Sequence, residues 1–266
     1  MEFTDVLYEK KDGVAMITIN RPEKRNALRA KTYEELTAAF EDAAQDGGVG
    51  VIVLTGAGDK AFSAGGDVEG QAVRTPDIAR AHLRRVEKLS TVIRGCGKPV
   101  IAAVNGYAIG GGHELHLFCD LTIASETARF GQVGPKVGSV PIWGATQLLP
   151  RIVGEKKARE MLFLCKQYTA QEALEMGLVN KVVPPAELMK EVSAWCQEIL
   201  DKSPQSLRIA KLALNLESDA TFHASFHAGA ELLSMVTGNT ENMEGVTAFL
   251  EKRKPNYRRF RGSPGA

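Results

Sequence analysis

Residues 98–120, Lys-Pro-Val-Ile-Ala-Ala-Val-Asn-Gly-Tyr-Ala-Ile-Gly-Gly-Gly-His-Glu-Leu-His-Leu-Phe-Cys-Asp, constrain this chain's fold more than any other stretch. Residues 100–104 are an unbroken apolar run of strand length, and residues 113–118 suit a helix, with Leu115 and Phe118 three apart. Gly110, Gly111 and Gly112 therefore fall at a helix N-terminus. Amides there lack intrahelical partners and point outward with the positive end of the helix dipole, so they suit an oxygen gaining negative charge. Without side chains, a ligand reaches the backbone itself. Glu114, in the first turn, then sets a carboxyl group beside an anion-stabilising site, the pairing that acid–base chemistry on a carbonyl substrate requires. The same residues also fit a plain strand-to-helix turn with Glu114 offsetting the dipole, and on local grounds both readings stand.

The surrounding chain repeats this pattern. Residues 6–10 and 14–20 flank Lys11-Asp12-Gly13 and predict an opening hairpin. Residues 21–28 interrupt both periods and read as a loop whose cations, Arg21, Lys24 and Arg25, suit either phosphate or solvent. Thr32 with Glu35 makes a capping-box pattern for a helix ending near Gly47, and residues 49–55 form a β-branched strand. That strand exits into the glycine-rich residues 56–67. A long helix is expected over 74–94, with Ile78, Leu83, Val86, Leu89 and Ile93 on one face. Another strand at 121–125 leads into a third glycine-rich connection at 130–141. A helical stretch over 143–152 follows, then a helix capped by Thr169 and Glu172 that stops at Gly177, then a strand over 178–183. Beyond Pro185, helices are expected over 186–200, 204–216, 222–236 and 243–252, before a basic tail at 255–266. Alternating strands and helices imply an α/β chain with parallel sheet, and periodicity alone leaves a doubly wound fold open.

Composition removes several functions. A chain of 266 residues with 44% hydrophobic content buries a sizeable core, and a net charge of +1 offers no global field for nucleic acid or an anionic membrane. No apolar run approaches membrane-spanning length, and the opening Met-Glu-Phe-Thr-Asp is no export signal, so a cytoplasmic protein is expected. Cys96, Cys119, Cys165 and Cys196 are too widely spaced for a zinc knot or redox pair and read as buried thiols. His113 and His116 are expected as helix-face residues rather than metal ligands. No glycine turn reads as a dinucleotide fingerprint, and no phosphate loop or Gly-x-Ser-x-Gly elbow occurs, which disfavours nicotinamide chemistry, nucleotide hydrolysis and serine hydrolysis.

Taken together, Phe62-Ser63-Ala64-Gly65-Gly66-Asp67, the run from Lys98-Pro99 through Gly112, Cys119-Asp120 and Phe130-Gly131-Gln132 resemble, in order and spacing, the crotonase (enoyl-CoA hydratase/isomerase) superfamily. The resemblance covers almost the whole chain. It implies an α/β spiral of ββα turns with a C-terminal helical oligomerisation region, divided as an acyl-CoA-binding core over 1–184 and a helical region over 185–266. It further implies an acyl-CoA thioester substrate, no cofactor beyond the CoA of that substrate, and homotrimers or homohexamers. By motif position the two amides that hold the thioester oxygen are those of Ala64 and Gly111, with Glu114 as the catalytic carboxyl group. Arg25, Ala27 and Lys252 fall where the family holds CoA, and Gly65, Gly66, Asp67, Gly110, Gly112, Gly134 and Ser139 complete the expected substrate-binding set.

The chain departs from the family's hydratases at Gly134, where they carry a second glutamate. Its local stretch looks like the branch of 1,4-dihydroxy-2-naphthoyl-CoA synthase and 2-ketocyclohexanecarboxyl-CoA hydrolase, in which bicarbonate can replace that side chain. Yet Pro141 and Thr237 stand where that branch has an aspartate and a tyrosine. The combined expectation is a hydratase-type lyase on an α,β-unsaturated acyl-CoA, straight or cyclic. The alternatives are the synthase or ring-opening hydrolase, and a non-catalytic acyl-CoA- or RNA-binding member. On this reading Gly134→Glu would restore a second carboxylate for hydration.

Overall fold

The computed structural model describes residues 3–67 and 75–261, so Arg74, at the expected start of a helix, and the end of the basic tail lie outside it. The chain opens with β1 (Val6–Lys11) and β2 (Val14–Ile19), an antiparallel pair in which Lys11 faces Val14 across the two-residue turn Asp12-Gly13. Both turn residues have positive φ, 50 and 82°, as a right-twisted hairpin requires. α1 (Ala30–Gln45) follows, and then β3 (Val51–Gly56).

Thereafter the chain advances by one repeated unit of long strand, short strand and helix. The first is β3, β4 (Ala61–Ser63) and α2 (Pro76–Gly95); the next is β5 (Val100–Val104), β6 (Tyr107–Ile109) and α3 (Gly111–Leu117). β7 (Leu121–Ser125), β8 (Arg129–Gly131) and α4 (Leu149–Val153) repeat it. α5 (Glu155–Leu164), β9 (Gln167–Thr169), α6 (Ala170–Glu175) and β10 (Lys181–Val183) close the α/β part. The long strands make a six-stranded sheet, β1-β2-β3-β5-β7-β10, parallel except for the opening hairpin. The short ones make a second sheet, β4-β6-β8-β9. Each unit adds one strand to each sheet, so the chain spirals; a doubly wound fold, with one sheet, is excluded.

Both faces of the large sheet are covered, which is why its strands read as continuous apolar runs. Ile52, Leu54, Ala102 and Val104 pack with Phe40 of α1 and Leu89 of α2. Val51, Val53, Ile101, Ala103 and Ile123 face Leu188, Val192 and Cys196 of α7 (Leu188–Leu200). α7 thus covers the sheet, although it lies on the helical side of a boundary at residue 185. α8 (Pro204–Val236) and α9 (Thr240–Leu250) follow. α8 packs on α2.

Three local expectations are corrected. α1 begins at Ala30 with Arg29 as its cap; Thr32 serves as the N3 residue, its hydroxyl accepting the Arg29 amide, while Glu35 holds the segment leading into the first strand. The Thr32 hydroxyl donates to Asp5, and the Glu35 carboxylate accepts from the amides of Thr4, Asp5 and Val6. Of residues 143–152 only the end is helical, because Gly144 turns at φ 89°. The helices expected over 204–216 and 222–236 are one helix of 33 residues. The intervening Glu217 to Thr221 hold neither glycine nor proline, and only the apolar face is interrupted there.

Candidate active site

The site assembles where three glycine-bearing turns meet. The 21–28 loop is strapped to the turn after β4: the Ala64 amide donates to the Arg25 carbonyl at 3.0 Å, Leu28 to Gly65 at 2.8 Å, and Asp67 to Leu28 at 2.9 Å. Arg21 is buried rather than solvated and pairs with Asp67 at 3.1 Å, so of the loop's cations it is committed to structure. Asn26, fully buried, donates to the carbonyls of Ala57 and Ala61 and holds the loop from inside. Arg25 and Ala27 are thereby brought beside residues 64–67, with the Arg25 side chain exposed.

That turn then touches the start of α3 through glycine alone. At Gly65, φ is 92° and a Cβ would lie 2.7 Å from the Ile109 carbonyl; at Gly112 it would collide with the carbonyl of Ser63. Only bare backbone permits such an approach. Gly110 caps the helix, its carbonyl taking the Glu114 amide at 2.9 Å and Gln132 Nε2 at 3.3 Å.

One expected donor is corrected by this arrangement. The Ala64 amide is spent on Arg25 and cannot face a ligand. Two other amides are open. Gly66 sits between the bonded Gly65 carbonyl and Asp67 amide, and Gly111 is the first residue of α3; among the described residues, neither amide donates to a protein group. The two lie together, since a Cβ built on Gly111 would be 3.6 Å from Gly66 N.

Glu114 is 6% exposed, and its Oε1 has no hydrogen-bond partner. Burial pushes its pKa well above the ordinary carboxylate range, against a smaller downward pull from the amides of Ala145 and Trp143. Burial thus favours its protonated form relative to an exposed carboxylate. The buried indole Nε1 of Trp143 is likewise unpartnered.

His113 and His116 lie on α3 among Phe130 and each other, edge to face, with ring centroids 5.0 Å apart. Burial holds His113 down at about 3 and His116 well below its usual value, so both are neutral. Gln132 donates to His113 Nδ1 at 3.0 Å, which places the ring proton on Nε2. Among the described residues no cluster of three metal-ligating side chains occurs.

A Cβ on Gly134 would be crowded. A Cβ there would stand 3.0 Å from the Ser139 carbonyl and 3.1 Å from the Pro141 ring. Ser139 and Thr237, far apart in sequence, line one small cavity of about 30 Å³ with His82 and Asn242, room for a single water. Lys252 is exposed in the turn after α9, a helix that packs on the Gly134–Val137 turn. A larger cleft of about 410 Å³, between Met16, Thr55, Asn105 and Leu188, is lined by none of these groups, and its one carboxylate, Asp59, is exposed.

Residues 9–260 match the family model described as enoyl-CoA hydratase/isomerase. The chain belongs to that family. Among solved structures, this family member is similar to an enoyl-CoA hydratase of Mycobacterium avium subsp. paratuberculosis, at 31% identity over 96% of this chain and 99% of the other, with a TM-score of 0.87. Enoyl-CoA hydratases of Geobacillus kaustophilus (36% identity, 96% and 98% covered, TM-score 0.78) and Bacillus anthracis (32%, 96% and 99%, 0.78) are similar to it too. Membership makes this enoyl-CoA hydratase/isomerase relative an enzyme of acyl-CoA thioesters, and among its described residues no helix is long and apolar enough to cross a membrane.

Three signals in the site escaped sequence reading. That the Gly66 amide stays open depends on which amides the strap consumes, and Gln132 and Trp143 reach the site only through the third turn of the spiral.

Proposed function

We propose that the protein is a hydratase-type lyase that adds water to an α,β-unsaturated acyl-CoA, with Gly66 and Gly111 amides holding the thioester oxygen and Glu114 as the acid–base side chain, the only one among the described residues. One observation carries this reading: two open amides from different turns meet at the start of the helix whose first turn holds a buried carboxyl group that burial pushes toward its protonated form. The thioester oxygen, polarised by both amides, draws the C=C electrons into an enolate as the oxygen of water bonds to Cβ. A neutral carboxyl group suits both proton transfers. Its hydroxyl gives a proton to Cα while its second oxygen takes one from the water, leaving H on Cα, OH on Cβ and Glu114 neutral again. No second glutamate is required, and the crowding that a Cβ on Gly134 would meet supports a site that works without a side chain there.

The ring-closing and ring-opening alternatives are less well supported, because Pro141 and Thr237 supply neither carboxylate nor phenol. Exposed apolar residues of α8 and α9, among them Leu214, Leu232, Met235 and Phe249, support assembly into trimers or hexamers, in which Lys252 would reach a neighbouring subunit's CoA. Free thiols at all four cysteines support a cytoplasmic location. Turnover of straight-chain and cyclic enoyl-CoA thioesters, with and without bicarbonate, tests the proposal. Loss of the conjugated enoyl absorbance without bicarbonate is expected; bicarbonate-dependent ring closure would overturn it.

A further inference from the structure

Tyr33 belongs to no motif, yet its hydroxyl reaches the centre of the site. It lies on the buried face of α1, in a row continued by Leu36, Phe40 and Ala43, and is 2% exposed. Two rings fix its orientation from the side: His82 at 5.2 Å and Trp143 at 5.7 Å between centroids, both edge to face. Its Oη then stands 3.5 Å from the position that a Cβ on Gly111 would fill. Gly66 N is 3.6 Å from the same position, and the Gly111 amide opens beside it. The space beside Gly111, left open because residue 111 has no side chain, is therefore bordered by the open Gly66 and Gly111 amides and the Tyr33 phenol.

We propose that the Tyr33 hydroxyl is a third hydrogen-bond donor to the thioester oxygen of the acyl-CoA, acting with the Gly66 and Gly111 amides. The inference rests on the function proposed above. A phenol, with an ordinary pKa near 10, is a stronger donor than an amide, and its hydrogen bond strengthens as the carbonyl oxygen becomes an enolate. It gives up no proton; Glu114 carries those. Held between His82 and Trp143, the ring needs no reorganisation as charge develops, which is the condition under which such a donor accelerates a reaction rather than merely binding substrate.

Tyr33→Phe keeps the ring and its two edge contacts and removes only the hydroxyl. A role confined to packing would leave the chemistry unchanged. The expected result is a fall in kcat of about 10- to 100-fold with KM within about threefold, as for loss of a donor that matters mainly in the transition state. A readout independent of turnover is the infrared band of a saturated acyl-CoA labelled with ¹³C at its thioester carbonyl. Bound to the wild type it should shift to lower frequency, and bound to Tyr33→Phe it should shift less. Should that variant fail to fold, 3-fluorotyrosine at position 33, a more acidic phenol, should enlarge the shift. A Tyr33→Phe enzyme with kcat within twofold of wild type and the same carbonyl shift, or a 3-fluorotyrosine enzyme with no change, overturns the inference alone. A wild type that neither shifts the carbonyl nor turns over any enoyl-CoA overturns the proposed function with it.

Discussion

Gly111 and Gly112 are adjacent at the start of α3, and alanine at each should have opposite consequences. A methyl group on Gly111 meets its nearest neighbours, Tyr33 Oη, Gly66 N and Gly65 Cα, at 3.5, 3.6 and 3.7 Å, all ordinary contacts. The residue is helical and does not need positive φ, so Gly111→Ala should be neutral or stabilise the fold by up to about 1 kcal/mol. For a chain of this size that is a rise in Tm of at most about 4 °C. The methyl group, however, would stand between Tyr33 Oη and the Gly66 amide and crowd a thioester oxygen that draws on those donors. Excluding the oxygen from its donors should cost about 3 kcal/mol of barrier, roughly 10²- to 10³-fold in kcat. At Gly112 the added methyl collides with the Ser63 carbonyl, main chain that cannot swing aside. Gly112→Ala should therefore destabilise the fold by about 1–3 kcal/mol or more. Thermal melts and enoyl-CoA turnover on both variants separate the effects. A Gly111→Ala enzyme retaining more than about a tenth of wild-type turnover, or melting no higher than Gly112→Ala, would refute the placement of the substrate oxygen at this turn.

Glu114→Gln should abolish most turnover while leaving CoA affinity nearly intact, because the relay matters in the transition state and not in binding; a loss of less than about 1.4 kcal/mol, tenfold, in kcat assays would sink the assignment. The same variant carries a pH signature. Burial raises the folded-state pKa of Glu114 well above 4.5, so its contribution to stability is complete below the unfolded value and is lost as pH rises through the folded one. The melting advantage of Glu114→Gln over wild type should accordingly grow as pH rises above the unfolded value of 4.5, and a difference constant with pH would contradict a buried carboxyl group with a raised pKa. Gly134→Glu, which the sequence favours as a gain of hydration, should instead lose stability without gaining activity, since its Cβ presses on the Ser139 carbonyl and Pro141 ring; faster turnover of straight-chain enoyl-CoA by that variant would show that the 139–141 segment yields.

The two short-range patterns were legible in the chain itself. Residues 100–104 and 121–125 are strands with the bounds their apolar runs imply, and Gly110 to Glu114 open a helix as the glycines require. Thr169 with Glu172 forms the capping box that its spacing spells out. Such features depend on neighbours within a turn or a strand, where hydrogen bonds and burial follow local periodicity. The three-residue strands β4, β6 and β8 were not legible, being too short to show a period, and they are what converts parallel α/β into a spiral. The site divides along the same line. Its residue types, glycines and one glutamate, stand in the sequence, but which amides remain open was decided by tertiary contact alone. Arg25 takes the Ala64 amide, Leu28 takes the Asp67 amide, and the Gly66 amide is left facing Gly111. A backbone amide has no side chain to mark it, so its availability is known only when every carbonyl that competes for it has been placed.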